Sequence, residues 1–80
     1  MAGFDKSLDV EVFGEEVAFE TTKLRVSVMQ YNEGQKKLQV SRENLDNESG
    51  DWRWSKLGRM TKEESEKVVP AMVKALENME

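Results

Sequence analysis

The residues best placed to do chemistry in this chain are cations and flat rings, and they crowd into its middle. Residues 21–60 hold eight Lys and Arg against five acids, together with Tyr31, Trp52 and Trp54, three of the six aromatics. Residues 1–20 hold one base and six acids, and residues 61–80 hold three bases and five acids, so the segment charges are −5, +3 and −2. Cations interleaved with rings suit a polyanion whose bases are exposed: the cations meet phosphates and the rings stack on bases. The net charge of −4 does not exclude this, because attraction follows the local field more than the total.

Other chemistries lack their usual parts. There is no histidine, which removes the usual general base, the proton shuttle near neutral pH and the commonest metal ligand. There is no cysteine, so neither a disulfide framework nor a Cys-based metal site is available. Carboxylates can catalyse in pairs, but here they fall on termini, turns and helix faces. The expectation is therefore a protein that is not an enzyme, with no catalytic residues, metal or cofactor.

Those residues must be held by a small scaffold. Eighty residues, 38% apolar and 35% charged, make one domain with a thin core, the kind that gains stability by pairing with a copy of itself. No stretch approaches the roughly 18 apolar residues of a membrane span, and no signal-peptide core follows Met1. The expected setting is intracellular, with no membrane partner.

The spacing of apolar residues predicts the scaffold. Leu8, Val10, Val12 and then Val17, Phe19 alternate around Gly14-Glu15, which predicts a hairpin with Val12 opposite Val17 and Val10 opposite Phe19. That pairing would set Asp9 against Glu20, an unfavourable like-charge contact. Leu24, Val26 and Val28 alternate with Arg25, Ser27, Met29 and Tyr31. After Asn32-Glu33-Gly34 the alternation resumes at Leu38 and Val40. A three-residue loop with Gly34 at positive φ sets Val28 opposite Leu38 and Val26 opposite Val40, and a slip of one residue would break the apolar match.

In that register the outward face carries Arg25, Ser27, Met29 and Tyr31 beside Lys37, Gln39 and Ser41, with no carboxylate before Glu43. Residues 44–51 read as a turn-rich loop, and Trp52–Leu57 as a short strand with both indoles on one face. There they either cover the core or lie at the rim, where a base could stack on them; Arg53 and Lys56 flank them. Thr61 and Glu64 form a capping box ahead of a helix whose apolar residues Val68, Val69, Met72, Val73, Leu76 and Met79 recur at helical spacing. Pro70 predicts a kink.

The order of these elements, with the segments Ala18–Tyr31, Leu38–Glu43 and Ser55–Glu64, resembles the single-stranded-DNA-binding core of the positive cofactor four family of transcriptional coactivators. The likeness spans about 60 residues, Val17 to Met79. It departs from the family where Leu57 and Arg59 stand in the lysine-glycine segment and where Asn44-Leu45 follow Arg42-Glu43 in place of an aromatic. Residues 1–16 read as an additional acidic N-terminal strand, 17–60 as the sheet and 61–79 as the helix of a single domain, residues 1–80.

The resemblance implies an α+β fold: a twisted antiparallel sheet of four to five strands backed by one C-terminal helix, dimerising through the helices at Val69, Met72, Val73 and Leu76. By position it would bring Arg25, Lys36, Lys37, Arg42 and Lys56 to phosphates and Tyr31 to a base. Arg53, Trp54 and Arg59 complete the candidate nucleic-acid-binding set. The implied function is sequence-tolerant single-stranded DNA binding by a homodimer supporting transcription, replication or recombination. Its implied partners are single-stranded DNA, a second copy, and other DNA-processing or transcription proteins. The implied location is cytoplasmic or nucleoid-associated, or the host cytoplasm for a phage protein. RNA in place of DNA, or a protein partner held by the acidic hairpin or the helix stripe, are the alternatives.

Overall fold

A computed structural model describes residues 5–79; Met1–Phe4 of the acidic addition and the terminal Glu80 lie outside the described residues. Four strands, β1 (Asp9–Ala18), β2 (Thr22–Tyr31), β3 (Lys36–Leu45) and β4 (Trp52–Ser55), form one antiparallel sheet in sequence order. One helix, α1 (Lys62–Glu77), follows. It packs chiefly on β2, with lesser contacts to β1 and β3. No helix among the described residues is long and apolar enough to cross a membrane.

The central pairing follows the apolar pattern. Val26 faces Val40 and Val28 faces Leu38, and Leu24, Val26 and Val28 are fully buried with Val68, Ala71 and Ala75 of α1. The two alanines let the helix axis approach the sheet, and Phe13, Phe19, Met72 and Met79 fill the margins. The connecting turn differs in detail from expectation. Positive φ falls on Asn32 (50°) and Glu33 (58°), not on Gly34. Two consecutive left-handed residues make a tight turn of the kind whose twist matches the flanking strands. Gly34 is needed instead for closeness: its N–H donates to the Tyr31 carbonyl at 2.9 Å, and a Cβ there would lie 2.9 Å from that same oxygen.

The predicted hairpin at Gly14-Glu15 does not form. β1 runs straight through those residues and pairs along its length with β2, from Asp9 opposite Tyr31 to Ala18 opposite Lys23. The reversal comes at residues 19–21, where the Phe19 N–H donates to the Thr22 carbonyl at 2.8 Å. Val17 therefore faces Leu24, not Val12. A bulge between Glu11 and Phe13 explains why the local pattern misled. An extra residue in one strand flips the parity of all that follows, so Phe13, Glu15 and Val17 take the helix side. The long strand also removes the like-charge clash, since Asp9 now faces Tyr31, and it sets Glu16 opposite Arg25.

The helix begins as its cap dictates. The Thr61 Oγ1 accepts from the Glu64 N–H at 3.1 Å, and Glu64 Oε1 accepts from the Thr61 N–H at 2.9 Å. It continues as one α-helix through Pro70. The apolar residues that recur along the helix divide between two sides. Val68, with Ala71 and Ala75, faces the sheet, whereas Val69, Val73 and Leu76 are 52%, 55% and 59% exposed.

Candidate nucleic-acid interface

Strand alternation gives the sheet an outer face, turned away from α1. In register, it carries Lys23, Arg25, Ser27, Met29 and Tyr31 from β2, and Lys37, Gln39, Ser41 and Glu43 from β3. β4 adds both indoles: Trp54 pairs with Glu43 and Trp52 with Leu45. The short strand was expected to put its tryptophans either in the core or at the rim. They stand at the rim, on the outer face, and Trp54 is 72% exposed.

One end of this face is a cation–aromatic corner. Lys23 faces Glu43, which in turn faces Trp54, and the Lys23 ammonium lies over the Trp52 ring, 4.3 Å from its centroid. That contact steadies the Trp52 ring and places the ammonium on one of its faces. Lys23 was not in the candidate set, although the period of two that selected Arg25 reaches it as well. Lys56 and Arg59 follow β4 in the exposed connection to α1.

The other end is a groove of about 540 Å³ lined by Asp9, Met29, Tyr31, Gln35, Lys37, Leu38 and Gln39. Tyr31 is half-buried there, and its hydroxyl accepts from the Asp5 N–H at 2.8 Å, which orients the ring.

β1 brings acids to the same face. The Arg25 guanidinium donates to both carboxylate oxygens of Glu11, at 2.9 and 2.6 Å. The pair lies close over Gly14, where a Cβ would meet the Arg25 Nη2 and the Glu11 Oε1 and make these two flexible side chains shift. The bonds from Arg25, with help from Ser27, hold the Glu11 carboxyl below its ordinary value. The face is thus free of carboxylates only across β2 and the first two-thirds of β3, and Arg25 already has an anion.

Arg42 lies on the opposite face, against α1. Its Nε donates to the Leu57 carbonyl at 3.0 Å and its Nη1 to Thr22 Oγ1 and Glu64 Oε2 at 3.1 and 2.9 Å. Its Nη2 donates to the Arg59 carbonyl and Glu64 Oε1 at 3.2 and 3.1 Å. A guanidinium has five N–H donors, and all of them are used. With the two side chains only 11% and 9% exposed, Arg42 is a structural clamp and not a phosphate ligand in this conformation. Two other candidates also leave the outer face. Lys36 pairs with Gln30 and Arg53 with Asn44, both positions of helix-side parity, and Arg53 Nε donates to Asp46 Oδ2 at 2.8 Å.

No protein-family model, curated protein or solved structure matches this chain.

Proposed function

We propose that the protein binds single-stranded DNA without catalysis, as a homodimer, across the outer face of its sheet, and that it is a divergent relative of the positive cofactor four coactivators. The observation that carries this reading is the rim corner, a 72% exposed Trp54 beside a Trp52 ring capped by Lys23. A large indole left in water on a rigid strand offers a flat platform to any base, and the neighbouring cation suits the phosphate that follows it. The order of sheet and capped helix agrees with what the resemblance implies.

Lys23 and Lys37 on the face have no ion-pair partner among the described residues, and Lys56, exposed just past β4, counts as a third cation for the backbone. Three neutralised phosphates give a slope of log affinity against log salt of about −2, shallower than the five that Arg25, Lys36, Lys37, Arg42 and Lys56 would give. The test is a titration of a labelled thymine 20-mer, with a duplex of equal length beside it, at low and moderate salt. Salt-sensitive binding that favours the single strand supports the proposal, and Lys37→Ala should make the slope shallower by about 0.7. No binding to either nucleic acid, even at low salt, would end it and turn attention to a protein partner.

The second copy is supported by the stripe Val69, Val73 and Leu76, three aliphatic residues on one side of α1 left more than half exposed. Met72 lies half-buried between that stripe and the core. In a slab only 17 Å thick, covering this stripe with its own image adds a second apolar layer that the chain cannot make alone. Light scattering should return twice the chain mass, and Val73→Asp should return the single mass with the circular dichroism unchanged. A monomeric parent protein would refute the dimer.

A further inference from the structure

Stacking at the tryptophan corner tolerates any base, but the groove at the far end of the same face has a different composition. Register fixes its four corners. Asp9 faces Tyr31 across β1 and β2, and Met29 faces Lys37 across β2 and β3. Directly opposed residues on one face hold their Cβ atoms about 5 Å apart, so a carboxylate borders the tyrosine ring and an ammonium borders the thioether. Gln39 completes the lining on the β3 side. The volume of about 540 Å³ is within the range of small-ligand sites and has room for one nucleobase with its sugar. The ring and thioether supply an apolar surface for a base face, and the polar groups lie where a base edge would reach.

Resting on the single-strand reading above, we propose that this groove is a base-selective subsite that accepts bases bearing an exocyclic amino group, cytosine foremost, and disfavours thymine. Asp9 decides the polarity. An ionised carboxylate only accepts hydrogen bonds. Cytosine N4 donates, and Asp or Glu accepting from it is the usual pairing, whereas thymine presents the O4 acceptor at that position. A carboxylate facing O4 sets two acceptors against each other. The Lys37 ammonium, on a side chain long enough to reach across β2, can donate to the adjoining cytosine N3, whereas the thymine N3–H would meet it as a second donor, so the donor–acceptor order of Asp9 and Lys37 matches cytosine and reverses that of thymine. Tyr31, its hydroxyl bonded to the Asp5 N–H, gives the base a ring already oriented for stacking.

The test measures cytosine and thymine 20-mers against the parent protein and Asp9→Asn, by anisotropy at one salt concentration and neutral pH. The parent should bind the cytosine strand about tenfold more tightly, the discrimination expected of one good base-edge contact. Asp9→Asn keeps the shape and gains an N–H that can donate to thymine O4, so the ratio should fall to near one, mostly through tighter thymine binding. A ratio unchanged by the substitution, or a parent that prefers thymine, overturns the subsite while leaving single-strand binding intact. No binding of any homopolymer would overturn both.

Discussion

Arg42→Ala should leave the protein largely unfolded at neutral pH and room temperature. Arg42 is the point where β3, the connection from β4 and the start of α1 meet. Removing it strands the Glu64 carboxylate, 9% exposed at the side chain, and the Thr22, Leu57 and Arg59 acceptors lose their donor. Breaking a buried pair by deleting one partner costs about 3–5 kcal/mol, as much as a core of this size supplies in all. Lysine cannot rescue it, having one compact ammonium where a planar fork reaches five acceptors. Adding Glu64→Gln should recover part of the loss, because glutamine still closes the capping box and carries no charge. Urea denaturation followed by tryptophan fluorescence would measure all of these. A midpoint for Arg42→Ala close to the parent's would mean that the clamp contributes nothing.

The same pair adds to the acid sensitivity of the fold. Hydrogen bonds from Arg42, then from the Thr61 N–H, hold the Glu64 carboxyl below its ordinary value of 4.5. A carboxyl with a depressed folded value binds its proton more readily when unfolded. Its contribution is therefore complete above about pH 4.5 and is lost as pH falls through the lower folded value. Acid unfolding should begin below that point, and in Glu64→Gln the corresponding part of the pH dependence should vanish.

Trp54→Ala should weaken single-strand binding by about 5- to 150-fold, the equivalent of about 1–3 kcal/mol for one lost base stack. At 72% exposure the indole contributes little to the core, so the change in stability should stay within about 0.5 kcal/mol. The salt slope should not move, because no phosphate contact is lost. This combination separates a stacking platform from a folding residue. Trp52→Ala makes a useful partner variant: it also frees Lys23 from a ring contact worth about 0.5–1 kcal/mol, so it should change stability as well as affinity. Affinity for the thymine 20-mer within a factor of two of the parent's would remove Trp54 from the site.

What could be read from the chain was whatever depends on neighbours in sequence. The β2–β3 register follows from two alternating apolar runs and a short turn, since only one pairing keeps Val26, Val28, Leu38 and Val40 together. The capping box at Thr61 and Glu64 is a four-residue device and was legible for the same reason. Gly14 shows where such reading stops. A glycine between two alternating runs looks like a turn, yet Gly14 sits inside a continuous strand opposite Ser27, under the ion pair of Arg25 and Glu11. Alternation also cannot say which edge of a sheet receives an acid strand, so the neutralisation of Arg25 was invisible. Arg42 is the clearest case. Its type and strand pointed to phosphate, but the acceptors around it come from β2, the β4–α1 connection and α1. Local patterning determined the three strands after residue 21, the helix start and the basic, aromatic character of the middle segment. Which cations remain in water for a polyanion was decided only when the chain folded, because a guanidinium goes to whichever anions and carbonyls the packing brings within about 3 Å.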